Sequence, residues 1–211
     1  IPHAVIIDCS ASSDVANQYL HFIEKGAHVI TPNKRANSGD YDYYQRLQKC
    51  VREKQSHYLY ETTVCAGLRI MTTLHDIIQT GDEVLEVHGV VSGTISYIFN
   101  EISKGIPFSA IITDAKAKGF TEPDPRDDLT GMDVARKVVI LARELGHSTR
   151  LEDVSIDNLV PEALSDCDVE TFLQKLPEFD SSIKATIQSK VKEGEQAVYL
   201  GSIYQDGRVE V

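Results

Sequence analysis

The first forty residues combine short apolar runs with one segment of helical spacing. Apolar runs at Ala4–Asp8 and His28–Thr31 predict two short buried strands. Between them, Val15–Lys25 has apolar residues at helical spacing, and Asp14 is the expected N-cap. Because the connections are short, the pattern predicts a β-α-β unit in a parallel sheet.

A second pattern begins near His57, where amphipathic helices alternate with separate strands. An Asp206-Gly207 pair near the end predicts a tight hairpin. The remaining predicted strands are His57–Val64, Glu83–Val91 and the segment Ala197–Tyr204 that leads into the hairpin. The remaining predicted helices are Asp40–Lys54, Leu68–Gln79, Ile95–Ser103 (capped by Thr94), Ser109–Lys118, Thr130–Leu145, Val169–Leu176 and Ser181–Glu193.

These patterns divide the chain into two predicted regions. Residues 1–56 are expected to be α/β, with a parallel sheet, and residues 57–211 to be α+β, with a mixed sheet. An apolar strand at the start and a hairpin cut short at the end predict that the chain is an internal piece of a larger fold.

Composition narrows the class of protein. A net charge of −11 argues against a nucleic-acid partner, which would require a basic face. No signal peptide and no apolar run of membrane-spanning length are present in the sequence, so no membrane association is expected. The four cysteines form no C-x-x-C pair, which favours a reducing, cytoplasmic compartment.

An acidic loop precedes the long predicted helix at Thr130–Leu145. Pro123 and Pro125 stiffen it, and its carboxylates stand near a helix N-terminus: Glu122, Asp124, Asp127 and Asp128. On the helix, Asp133 and Lys137 are four residues apart and share a face. Spacing alone is compatible with an ordinary surface ion pair or with a catalytic pair facing a cleft.

Three turns follow predicted strands and could approach a ligand. Pro32-Asn33-Lys34 lies at the carboxyl end of a strand, where α/β sheets place ligands. The Glu61–Leu68 turn could expose carbonyl oxygens to an ion, and Ser92-Gly93-Thr94 could expose backbone N–H groups. Taken singly, each turn is a weak signal. A lysine after a strand is common on protein surfaces, and the Glu61–Leu68 turn is also explained by tight packing.

Together and in this order, these segments resemble homoserine dehydrogenase, and most of all the dehydrogenase half of bifunctional aspartokinase–homoserine dehydrogenases. The matching segments are Thr31–Lys34, the Glu61–Leu68 turn, Ser92–Thr94 with Tyr97-Ile98, and Gly119–Asp128 leading into Gly131–Lys137. The resemblance implies a partial Rossmann-like nucleotide-binding unit followed by a catalytic and dimerisation domain. It also implies NADP or NAD as cofactor, aspartate semialdehyde and homoserine as substrates, and a homodimer or higher homo-oligomer.

The resemblance further implies roles for single residues. Lys137 would transfer the proton at the substrate oxygen, with Asp133 and Glu122 holding the substrate. Thr94 and Asp127 would complete the substrate site. Ser10, Lys34 and Gly119 would contact the cofactor, and Glu61, Val64, Ala66 and Leu68 would surround a sodium ion.

The sequence departs from the family pattern in two respects. No G-x-G-x-x-G turn opens the chain, and Cys65 and Arg69 stand where relatives usually have glycine and proline. Two other functions therefore remain open: a non-catalytic dimerisation module, and a divalent-metal phosphotransferase built on Asp124, Asp127 and Asp128. The carboxylate spacing matches neither an EF-hand nor a Walker arrangement, which disfavours the second.

Overall fold

The computed structural model describes residues 3–192 and 194–211. Its strands are β1 (Val5–Ile7), β2 (His28–Ile30), β3 (Tyr58–Leu59), β4 (Glu86–Gly89), β5 (Gly201–Tyr204) and β6 (Val209–Glu210). Its helices are α1 (Ser13–Ala16), α2 (Tyr19–Glu24), α3 (Arg35–Ser38), α4 (Tyr41–Lys54), α5 (Ile70–Gln79), α6 (Gly93–Ser103), α7 (Phe108–Ala117), α8 (Arg126–Leu129), α9 (Met132–Glu144), α10 (Val169–Lys175) and α11 (Asp180–Ser189). Within the described ranges, no helix is both long and apolar enough to cross a membrane.

The chain forms two compact units. The first contains the residues up to Val87, together with Ala135–Val154 and Ser202–Glu210. The second contains His88–Val134, Ser155–Gly201 and Val211. Each unit is therefore assembled from segments that are distant in sequence.

The first unit contains the parallel sheet that the sequence predicts. Its strand order is β1-β2-β3, with both neighbouring pairs parallel. One face is buried against α2 and α4, where Tyr19, Ile23 and Leu47 are fully buried. The opposite face leaves four apolar side chains exposed: Val5, Ile7, Ile30 and Leu59. The prediction of an α/β unit is confirmed.

Helix N-termini differ in detail from the predicted caps. Ser12, not Asp14, caps α1, because its hydroxyl accepts from the Val15 N–H. Ser92, not Thr94, caps α6 by accepting from the Ile95 N–H. In both places, the observed cap is a serine two residues before the predicted one, and pattern alone does not choose between two good capping residues.

Gly131 divides the helix predicted at Thr130–Leu145. It has φ +71° and separates α8 from α9. A Cβ at this position would collide with the Tyr199 hydroxyl and lie 2.9 Å from Ile156 Cγ2. Only glycine fits both the backbone conformation and the space.

The region around β3 to β6 is less regular than predicted. The strand expected over His57–Val64 is only β3, and a 3₁₀ turn at Glu61–Thr63 follows it. The strands β4, β5 and β6 form a second sheet in that order. The Asp206-Gly207 hairpin prediction is confirmed, since β5 and β6 pair antiparallel with Ile203 opposite Val209.

Candidate active site

The acidic loop starts where α7 ends. Gly119 has φ +70°, and the following Phe120 N–H donates to the Ala115 carbonyl, which closes the helix. Thr94, in the first turn of α6, donates its hydroxyl proton to the Phe120 carbonyl at 2.7 Å. The predicted substrate residue Thr94 therefore holds the start of the loop that carries Glu122.

Asp128 is the carboxylate around which the loop folds. The Glu122 N–H donates to Asp128 Oδ2 at 2.8 Å. Burial raises the pKa of Asp128, and the nearby carboxylates Asp127 and Asp133 act in the same direction. The Glu122 and Asp127 side chains are exposed, whereas Asp128 is partly buried. Asp128 is thus a substrate-site candidate beside Asp127, the residue that the family resemblance implied.

Arg126 anchors the loop from the other side. Its guanidinium holds the Asp124 carboxylate through Nε and Nη2, which lowers the pKa of Asp124. It also lies 5.4 Å from the Phe172 ring. Its Nη1 donates to three backbone carbonyls, those of Leu164, Ser165 and Cys167. These contacts hold Asp124, which lies between the two prolines, against Arg126, the first residue of α8.

Helix α9 carries the predicted proton-transfer group. Asp133 is in its first turn and exposed, and Lys137 lies one turn later and is partly buried. Asp133 is close enough to Asp128 to affect its pKa. The structure therefore brings Thr94, Glu122, Asp128 and Asp133 together within the second unit, and Lys137 follows Asp133 along α9.

The predicted cofactor residues of the first unit follow β1 and β2 at the carboxyl edge of the sheet. Asp8, only 5% exposed, joins the two strand ends. Its carboxylate accepts from the Ser10 N–H at 2.8 Å, from Asn33 Nδ2 at 3.0 Å and from the Tyr19 hydroxyl. Its carbonyl accepts from the Thr31 hydroxyl.

This network explains the charge state of Asp8. Burial alone would raise its pKa, but the hydrogen bonds from Tyr19, Ser10 and Asn33 outweigh burial and lower the pKa to about 2. A permanently ionised Asp8 therefore holds together the turns that bear Ser10 and Lys34. This carboxyl edge is where α/β sheets bind dinucleotides, so the arrangement fits a nicotinamide cofactor. Gly119, the third predicted cofactor residue, is in the second unit and exposed.

The predicted cation site is organised around Glu61. Its Oε2 accepts from the Thr72 N–H at 3.0 Å and hydroxyl at 2.6 Å, whereas Oε1 is buried without a hydrogen-bond partner in the described structure. Cys65 adopts φ +51°, a conformation that favours glycine. A cation at this turn would satisfy the orphaned oxygen. The other expected ligands of that cation are the backbone carbonyls of Val64, Ala66 and Leu68. Such a site would hold a single acidic side chain, and the described residues contain no group of three or more His, Cys, Asp or Glu side chains suited to a metal.

Comparison with family models gives two matches along the chain. A model described as "Homoserine dehydrogenase" matches residues 70–211. A second, described as "Homoserine dehydrogenase, NAD binding domain", matches residues 2–61.

Individual relatives agree with these models. A bifunctional aspartokinase/homoserine dehydrogenase 2 of Arabidopsis thaliana (chloroplastic) is 48% identical over all of this chain, which spans 24% of that protein. A homoserine dehydrogenase of Schizosaccharomyces pombe is 43% identical over 94% of the chain, which spans 54% of that protein.

Solved structures also share the fold. A Candida auris protein described as of unknown function is 35% identical with a TM-score of 0.92, over 99% of this chain and 60% of its own. A hyperthermophilic archaeal homoserine dehydrogenase in complex with NADPH has a TM-score of 0.71 at 19% identity, over 98% of this chain and 54% of its own.

Proposed function

The chain belongs to the homoserine dehydrogenase family, and we propose that the protein carrying it interconverts L-homoserine and L-aspartate 4-semialdehyde with NAD or NADP. One observation supports this most strongly. The acidic loop gathers Glu122 and Asp128 beside Thr94 and Asp133, at the start of the helix that presents Lys137. Such a cluster suits a substrate that carries an ammonium group beside a reacting hydroxyl.

The carboxylates give the substrate its orientation. Homoserine carries a positive amino group, which Glu122 would bind through a charge-assisted hydrogen bond. Asp128, hydrogen-bonded to the Glu122 backbone, keeps that backbone in place. Asp133 would hold the substrate hydroxyl and orient Lys137, which lies one helical turn away.

Lys137 then handles the proton at the reacting oxygen. The bound nicotinamide accepts or supplies the hydride. When the aldehyde is reduced, negative charge develops on its oxygen, and the Lys137 ammonium stabilises that charge and donates a proton. In the reverse direction, the neutral amine removes the hydroxyl proton as the hydride leaves the same carbon.

We also propose that Ser10, Lys34 and Gly119 contact the cofactor and that Glu61 holds a sodium ion with the Val64, Ala66 and Leu68 carbonyls. Asp8 supports the first assignment because it ties the Ser10 and Lys34 turns together. The orphaned Glu61 Oε1 supports the second. A homodimer is proposed as the assembly of the protein.

The test uses the full-length protein with homoserine and with 4-hydroxybutyrate, which lacks the amino group. We expect homoserine-dependent reduction of NADP or NAD, with kcat/KM for 4-hydroxybutyrate lower by at least about 10²-fold, because the carboxylates would lose their cationic partner. Absence of turnover with homoserine, or equal rates with the two alcohols, would refute the proposal.

A further inference from the structure

Arg143 is a buried cation in the last turn of α9. It is 4% exposed, and its guanidinium donates to three backbone carbonyls. The acceptors are Thr149 O at 3.0 Å from Nε, Asn37 O at 2.8 Å from Nη1 and Gly39 O at 2.8 Å from Nη2. The guanidinium carbon lies 5.2 Å and 5.1 Å from the ring centroids of Tyr41 and Tyr44. All three groups of the guanidinium are therefore engaged.

The carbonyls of Asn37 and Gly39 belong to the end of α3. Helix-terminal carbonyls have no partner within their own helix, and a cation there satisfies them. Gly39 can have no side chain in this conformation, because a Cβ would lie 2.6 Å from the Arg35 carbonyl oxygen. Helix α3 begins directly after Lys34, which is a proposed cofactor residue. The Arg143 guanidinium therefore binds the helix that follows Lys34.

The same helix carries the proposed proton-transfer group. Lys137 precedes Arg143 by six residues, which is about 9 Å along a rigid helix. Both residues and the whole of α3 belong to the first unit. We propose that Arg143 is a positioning residue, which fixes the helix carrying Lys137 against the segment that follows Lys34, and so sets the proton-transfer group relative to the cofactor. This inference rests on the proposed function.

The surroundings of Arg143 are unlike those of a residue that merely fills the core. Asn37 is fully buried and Thr149 nearly so, and each has a side-chain atom without a hydrogen-bond partner in the described structure. A planar guanidinium can reach three carbonyls in fixed directions, which a lysine ammonium cannot reproduce. Burial lowers the pKa of Arg143, but a guanidinium remains charged at physiological pH.

Single-turnover kinetics of the full-length protein separate positioning from stability. With NADP equimolar to enzyme, both well above the dissociation constant, and homoserine saturating, the amplitude of the first phase of nicotinamide reduction counts competent sites, and its rate constant reports the chemical step. For Arg143→Lys we expect a rate constant lower by about 10- to 100-fold with the amplitude per folded protein retained, because small displacements of a positioned group cost this much. Arg150→Lys is the matched control, since Arg150 also lies near the Tyr41 ring but is 44% exposed.

Two results would overturn the inference. One is a rate constant for Arg143→Lys within twofold of wild type, even if its amplitude falls, because lost amplitude alone indicates a purely structural role. The other is a decrease of equal size for Arg150→Lys. If wild type itself transfers no hydride from homoserine, the proposed function fails and the inference falls with it.

A second variant covers the case in which Arg143→Lys does not fold. Tyr41→Leu removes one ring from beside the guanidinium and leaves Arg143 in place. We expect the rate constant to fall by about two- to fivefold, the change that corresponds to one cation–π contact. An unchanged rate constant in that variant would contradict the positioning role.

Discussion

Asp127 and Asp128 are adjacent in sequence but have different surroundings. Asp128 is partly buried and accepts from the Glu122 N–H, whereas Asp127 is exposed. We therefore predict that Asp128→Asn raises KM for homoserine by about 10- to 100-fold, because a charged hydrogen-bond acceptor is lost. Asp127→Asn should change KM by less than about twofold. Steady-state kinetics with both variants test this, and equal effects would contradict it.

Lys137 gives a second residue-level prediction. If it transfers the proton, Lys137→Ala should lower kcat by about 10²–10⁴-fold and leave circular dichroism unchanged. The control is Lys104→Ala, because Lys104 forms an exposed helical ion pair with Glu101 at 2.6 Å and should not affect rate. A Lys137→Ala protein that keeps more than about half of its kcat would exclude the assignment.

Asp8 lies at the carboxyl edge of the parallel sheet, beside the proposed cofactor residues, and also contributes to the stability of the fold. Its pKa is 3.8 in the absence of the fold's interactions and about 2 in the folded protein. Because the pKa of Asp8 is lower in the folded than in the unfolded protein, ionised Asp8 stabilises the folded state at pH values above 3.8. This stabilisation is lost as the pH falls through about 2. The shift corresponds to about 2 kcal/mol.

We predict that Asp8→Asn destabilises the protein by about 1–3 kcal/mol at neutral pH and that the difference from wild type shrinks between pH 4 and pH 2. Urea unfolding at several pH values measures both quantities. A difference that does not depend on pH would contradict the ionised network.

The residue scale also marks the limit of sequence analysis. The roles of Lys137, Asp133 and Glu122 follow from the resemblance of their segments to a known family, whereas the spacing of Asp133 and Lys137 alone favours an ordinary surface ion pair. Arg143 has no visible signal, because its acceptors Asn37 and Gly39 are about a hundred residues away in sequence. Asp8 was expected only as the end of a strand, and its role depends on Tyr19 and Asn33 folding onto it.

At the scale of elements, local pattern predicted which segments are helical better than where they begin and end. Helix α4 is predictable because its polar and apolar residues are regularly spaced, and the hairpin because Asp206-Gly207 is a characteristic turn pair. The strand predicted over His57–Val64 was too long, because Glu61 turns its carboxylate towards the first turn of α5 and the backbone follows it into a 3₁₀ turn. The boundary predicted between residues 56 and 57 stays a prediction.

The Glu61 turn, which is hydrogen-bonded to the first turn of α5, predicts that sodium ions raise the melting temperature of the protein. At equal ionic strength, sodium chloride should raise Tm above its value in tetramethylammonium chloride by about 2–4 °C, because a bound cation stabilises the folded state. Glu61→Gln should abolish the difference, since the orphaned oxygen then belongs to a neutral group. Glu83→Gln is the control, because Glu83 is exposed and its carboxylate accepts a hydrogen bond from Gln205 Nε2. A sodium response that survives in Glu61→Gln would contradict the site.

At the scale of the whole molecule, apolar side chains remain exposed in the second unit. Val90 follows β4, and Val198 and Leu200 precede β5; their exposures are 43%, 53% and 39%. Apolar residues beside sheet strands are typical of surfaces that pair with another subunit. We predict that light scattering of the full-length protein at micromolar concentration shows a dimer or larger assembly.

Leu200→Glu should weaken that assembly, because dimerisation would then bury a charge. Ile78→Glu is the comparison, since Ile78 is equally exposed at 39% but lies on α5 in the first unit. A monomeric wild type, or equal weakening by the two changes, would count against this surface.

Gly131 has a consequence for inheritance. Every missense change of its codon adds at least a Cβ, which the Tyr199 hydroxyl and Ile156 leave no room for, at a φ that side chains rarely adopt. Because Gly131 joins the loop of Glu122 to the helix of Lys137, substitution would affect folding and the candidate site in one step. Alleles of this gene that remain functional should therefore carry only synonymous changes at that codon, while codons for exposed residues such as Lys104 accumulate ordinary variation.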